Sequence, residues 1–364
     1  MLTCCGVIEI LLLLSLTGSF TLSVDCSAEQ TPTRYIILDR GEQLVRDLIN
    51  TPGLNAQGDV ALWRTNLSGQ TSGIFFHGEA TDILVGLKDY SLVYPADIGE
   101  GDIIVGSLQA PQDLRWSRAF VWRDGVMEHL EMVSGGYSAA NAINRRGQIA
   151  GSAQVENGQY HAVLWQQTVA QDLGTLQSGD YSNARDINNL GTIVGEANAI
   201  HSGKPHAFCW RGGRMQELTT KNRDKTCSAQ AINDKEEIVG TCEVGNGIMH
   251  AILWRGKRYI DLGALGDDGD TNSTGLDVNI HTQLVGTSEI GEGKLRAFLW
   301  ERGQMLNLND LIPSDSGWLL LAASRINDSG EILGRGYYRG AIHAFLLVPR
   351  NSRPSRVQAR YGNK

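Results

Sequence analysis

The histidines of this chain raise the question of a metal centre. His161, His206, His250 and His343 each open a short apolar segment of similar make-up, as in His161-Ala162-Val163-Leu164-Trp165 and His206-Ala207-Phe208-Cys209-Trp210. Imidazole binds zinc well, but several ligands must converge within about 2 Å of a single ion. These histidines recur once per repeat unit, which sets them at similar radii and far apart. The expected role is a structural hydrogen bond at each strand start, because buried polar groups seek partners. Asp268-x-Asp270-x-Asn272 partly matches a calcium loop, yet Ser273 stands where glycine is needed and Asn279 where the closing glutamate is needed. A solvated turn is expected there. No metal and no cofactor are expected.

Nucleophile elbows, phosphate loops, zincin helices and dinucleotide fingerprints are absent from the sequence. Cysteine is more informative. Pairing Ala231 with Ile238 across a hairpin also sets Cys227 opposite Cys242, close enough for a cross-strand disulfide. Such a bond persists in an oxidising compartment. Among the tryptophans, Trp122, Trp165, Trp210, Trp254 and Trp300 share one repeat position and are expected to fill space between units. Trp116 and Trp318 fall outside that position, in longer connections, and are the candidates for presenting aromatic faces to a ligand.

The elements that must carry these residues follow from an internal period. Asn144, Asn188, Asn233, Asn279 and Asn327 are spaced by 44, 45, 46 and 48 residues. Each asparagine follows an apolar residue and precedes a short strand ending in glycine, such as Ile193-Val194-Gly195. The His-Ala segment comes next, then an Asp-Leu-Gly type strand. Divergent units before Asn144 bring the total to seven. Four short antiparallel strands per period of this length match one β-propeller blade. The 43 glycines accord with many tight turns, since glycine reaches positive φ without steric cost. Asn144 with Gly147 and Asn188 with Gly191 have the spacing of hairpin turns.

The fold expected is therefore all-β: a seven-bladed β-propeller over 29–349. Its last repeat stops after Phe345-Leu346-Leu347 without a fourth strand, whereas Arg34-Tyr35-Ile36-Ile37-Leu38-Asp39 is an orphan strand resembling Arg258-Tyr259-Ile260-Asp261-Leu262. The N-terminal strand is expected to complete the last blade and remove an open edge. The apolar stretch before Cys26 reads as a signal peptide over 1–28, cleaved after Ala28 and leaving no membrane span. A basic, disordered tail is expected over 350–364.

The combined signature of Ser-x-Ala-x-x-Ile-Asn, Ile-Val-Gly, His-Ala-Phe-Leu-Trp and Asp-Leu-Gly-Thr-Leu resembles the HAF-type extracellular repeat family. The most diagnostic segment is Leu308-Asn309-Asp310-Leu311-Ile312-Pro313 followed by Ser316-Gly317-Trp318. The likeness covers roughly Leu54 to Pro349, with the first two blades departing from the pattern. It implies an exported repeat protein, secreted or extracytoplasmic, whether extracellular or periplasmic, and carries no catalytic motif to transfer.

The net charge of −8 lacks a phosphate-neutralising footprint, so no nucleic-acid partner is expected. In a propeller, first-to-second turns share one face with third-to-fourth turns, and second-to-third connections lie on the other. Connection length varies on that second face, as in 107–117 and 195–205, which is where a repeat protein places its ligand. The expected function is a monomeric, non-catalytic module recognising a protein or glycan there through Trp116 and Trp318. An exported hydrolase or lyase working in the central channel is the alternative, and a surface scaffold a third. Asn66, Asn272 and Asn327 match glycosylation acceptors.

Overall fold

The computed structural model describes residues 33–42, 52–65, 70–78, 80–177, 179–198, 203–218, 220, 225–266 and 269–350. The apolar N-terminal stretch with its cleavage site, Asn66, Asp268 and the tail from 351 lie outside them. Among the described residues no helix is long and apolar enough to cross a membrane.

The described residues form seven four-stranded antiparallel sheets arranged as the blades of a propeller. Blades 1 to 6 run in sequence over 53–84, 92–129, 138–172, 182–217, 227–261 and 273–307. Blade 7 takes Trp318–Ile326, Ile332–Tyr338 and Ala341–Pro349, and its fourth strand is Tyr35–Glu42 from the other end of the chain. Tyr35 pairs with Pro349 and Asp39 with Phe345, so the orphan strand closes the ring as expected. Val60 and Leu62 of blade 1 then pack with Leu333, Leu346 and Val348 of blade 7.

Alternation along each strand builds the core. In every blade from 2 to 7 the middle of the third strand buries a large apolar residue completely: Phe120, Val163, Phe208, Ile252, Phe298 and Phe345. Two residues later Trp165, Trp210 and Trp254 are also buried, and Trp165 packs with Val105 and Val121 of the preceding blade. Each such side chain contributes roughly 1.5–3 kcal/mol by leaving water.

The first strand of blades 2 to 7 carries a bulge just before its Ile-Asn pair or the equivalent two residues, for example between Ala140 and Ala142. In blade 5 the bulge decides the disulfide. Ala231 pairs with Val239, one residue away from the expected Ile238, but the bulge restores the register and Cys227 faces Cys242. The two cysteines are disulfide-bonded, with their Cα atoms 4.2 Å apart.

Candidate functional site

The repeated asparagines do two jobs. Each closes its own hairpin: Asn144 Oδ1 accepts from the amides of Arg146 and Gln148, and Gly147 supplies the positive φ of 72°. Each also reaches the next blade. The Nδ2 groups of Asn144, Asn188, Asn233 and Asn279 donate to the carbonyl of the following asparagine at 2.9–3.1 Å, and Asn327 Nδ2 donates to Asn55 O at 3.0 Å across the closure. The circle breaks at blade 2, where Gly99 replaces asparagine and an Arg145–Glu100 ion pair at 2.9 Å ties blade 2 to blade 3. These asparagines line a depression of about 220 Å³ at the mouth of the central channel.

Below them lies a ring that sequence reasoning missed. The residue preceding each Ile-Asn pair, or its equivalent, is Gly53, Asp97, Ala142, Asp186, Ala231, Asp277 and Arg325 in blades 1 to 7. Aspartate thus occupies every second blade. Asp186 accepts from its own blade's Ile187 amide at 2.7 Å and from Ile232 of blade 5 at 2.7 Å. Asp277 does the same with Val278 and with Ile326 of blade 7, and Asp97 accepts from Ile143 of blade 3 and from Ile98. The three carboxylates therefore satisfy main-chain amides in six blades, just after the bulges. Blade 1 has no room for such a side chain, because a Cβ on Gly53 would lie 2.8 Å from the Ile98 amide nitrogen.

Burial dominates the electrostatics of this ring. It pushes Asp97 up to about 7 and Asp277 up to about 6, and it raises Asp186 as well, each against the pull of Arg325 and of the bonded amides. The fields of neighbouring carboxylates add to the rise. Arg325 also approaches Ala96 O at 3.5 Å, spanning from blade 7 to blade 2. An acid of displaced pKa beside a cation is what channel catalysis would use. Here, however, the carboxylate oxygens are committed to main-chain amides, so the arrangement fastens neighbouring blades.

The histidines fulfil the structural expectation. Nδ1 of His161, His206, His250 and His343 meets a fourth-strand carboxylate, respectively Asp172 at 2.9 Å, Glu217 at 2.8 Å, Asp261 at 2.8 Å and Asp39 at 3.0 Å. The last of these secures the closing strand. Asn272 is likewise used within the fold, receiving Met249 N and donating to Glu289, while Asn327, a matched glycosylation acceptor, is buried in the asparagine ring.

Trp116 and Trp318 lie toward the same face, opposite the channel mouth described above, but in separate clusters. Neither is in a long loop. The segment 107–117 consists of two extended strands meeting at a tight turn, so Trp116 sits on the strand Asp113–Arg123. Trp318 begins the first strand of blade 7, where its ring stacks on Tyr338 at 4.6 Å with His343 and Phe345 edge-on. Trp116 is the more open: it is 48% exposed, beside Leu114 at 60% and Tyr160 at 39%. With Arg115, Tyr137 and Gln154 these residues line a groove of about 680 Å³ between blades 2 and 3. Gly136 forms its floor, where a Cβ would come within 3.0 Å of the Trp116 ring.

No family model and no curated protein matches the chain. Solved structures do. A puromycin-hydrolysing peptidase of Mycobacterium tuberculosis is similar over 83% of this chain with 11% identity and a TM-score of 0.54, and the chain spans 50% of that protein's length. The β-propeller domain of the Trilobed protease from Pyrococcus furiosus is similar over 72% of this chain and 83% of its own, with 14% identity and a TM-score of 0.52. That domain is described as having an open velcro topology, whereas here the N-terminal strand closes the last blade. At such identities the likeness is one of fold: this chain is built as a β-propeller.

Proposed function

We propose that this chain is an exported, non-catalytic recognition module of the HAF-type repeat kind, which binds a protein or glycan at the groove around Trp116. The observation that carries this reading is the exposed aromatic groove. Large apolar side chains are normally covered, and a cluster of them rimmed by Arg115 and Gln154 is the surface expected of a ligand seat. Trp318, stacked and half-buried, supports the same face from blade 7. The Cys227–Cys242 bond accords with an oxidising, extracytoplasmic location.

A channel hydrolase or lyase is the second reading, favoured by the convergence of Asp97, Asp186 and Asp277 around Arg325. It is weaker because catalysis would require those carboxylates to leave the amides that hold adjacent blades. A glycan-array and surface-protein screen separates the two. Binding that is lost in Trp116→Ala and kept in Asp97→Asn supports the groove. Binding that survives Trp116→Ala refutes it.

A further inference from the structure

In four blades the third strand supplies a histidine and the fourth a carboxylate that bonds it. Blade 2 breaks this rule. Its register sets Phe120 opposite His129, as Val163 is set opposite Asp172 in blade 3. His129 therefore stands where the carboxylate belongs, and Arg118, two residues before Phe120, stands where the histidine belongs. Two basic groups share a position that in blades 3, 4, 5 and 7 holds an acid and a base.

The consequence is visible in their hydrogen bonds. Arg118 Nε and His129 Nδ1 are buried and have no hydrogen-bond partner among the described residues. Both side chains are half-buried as a whole, so they are reachable from solvent. Tyr90, in the short connection between blades 1 and 2, covers them, with the guanidinium carbon 5.7 Å and the His129 ring centre 5.5 Å from its ring centre. Burial and the charge of Arg118 hold the His129 imidazole below its usual range. A buried polar group left without a partner forfeits the hydrogen bond it had in water, and an incoming ligand group would restore that bond.

We propose that Arg118 and His129 form a seat for a carboxylate supplied by a ligand, at the position where blades 3, 4, 5 and 7 carry their own. A carboxylate suits both partners: it can accept two guanidinium N–H bonds side by side and a third from imidazole. The side chain of Tyr90 must shift to admit it. The site lies on the same strand as Trp116 and on the same face, but it stands whether or not that groove binds anything.

The test follows the His129 ring by NMR in the full chain, assigned through loss of its signal in His129→Gln. Acetate is titrated at constant ionic strength against chloride, with phosphate in a parallel titration. The expected result is a saturable acetate response that raises the His129 pKa by about one unit, the effect of an opposite charge at hydrogen-bond range, and its loss in Arg118→Gln. The double variant R118H/H129D rebuilds the pair of the other blades and controls for folding. Its introduced imidazole should titrate as a paired histidine and ignore acetate. Absence of a saturable acetate response in the unmodified chain overturns the proposal, as does saturation by phosphate equal to or tighter than that by acetate.

Discussion

Replacing Asp97 by asparagine should change how the stability of the propeller depends on pH. Burial lifts the Asp97 carboxyl from an ordinary 3.8 to about 7. Between those values the folded chain keeps a proton that the unfolded chain has released. The folded state therefore binds more protons, and stability falls as pH rises through that window, levelling off above about 7. At about 1.36 kcal/mol per pH unit, the full displacement costs about 4 kcal/mol once Asp97 is ionised. Asparagine keeps an oxygen for the Ile143 amide and cannot ionise, so this cost disappears. Urea unfolding at about pH 5 and about pH 8 measures it. The unmodified chain should be the less stable at the higher pH, and Asp97→Asn should flatten the slope, leaving the contributions of Asp186, also raised by burial, and of Asp277, raised to about 6. Stability that rises between the two pH values, or an Asp97→Asn variant with an unchanged slope, would show that the buried Asp97 carboxyl does not keep its proton in the folded chain.

Other perturbations address the devices that join blades. Removing both cysteines of the Cys227–Cys242 bond opens a link of sequence separation 15 and should lower unfolding stability by about 3 kcal/mol in denaturant titration. Asn233→Ala removes the acceptor of the Lys235 and Glu237 amides and the donor to Asn279 O, and should cost about 3 kcal/mol, read as a lower thermal midpoint. His343→Ala removes the partner of Asp39 and so loosens the closing strand; amide exchange in 35–42 should accelerate more than in blade 4, where the His206–Glu217 pair is intact. Trp116→Ala, at a half-exposed position, should leave stability within about 1 kcal/mol while removing ligand binding.

Much of this architecture is legible in the sequence because propellers repeat. Once Asn144, Asn188, Asn233, Asn279 and Asn327 are aligned, the His-Ala segments and the orphan strand at Tyr35 fall into place, and the closure is found where the missing fourth strand requires it. Local pairing is less legible. The Ala231–Ile238 register is off by one because a bulge is a backbone event with no residue of its own, yet the same bulge brings Cys227 opposite Cys242.

The sites are harder to read. Trp116 looks like a loop residue because 107–117 lacks the repeat's usual turn signals, but two strands simply lengthen and meet at a tight turn. The aspartates of the channel ring are plainly present before Ile98, Ile187 and Val278. Their meaning depends on the next blade, since each serves an amide some 46–49 residues away. Arg118 and His129 leave a trace too, as a departure from the His-Ala-Phe pattern in blade 2, but only the paired register shows that both halves of one pair have become basic.

The groove of blades 2 and 3 is the proposed seat of a ligand. The most direct measurement is a binding screen of the full chain against arrayed glycans and surface proteins, with Trp116→Ala and Trp318→Ala beside it. A specific ligand bound by the unmodified chain, lost in Trp116→Ala and weakened in Trp318→Ala, is the expected result. A ligand bound equally by all three proteins would place recognition elsewhere on the propeller.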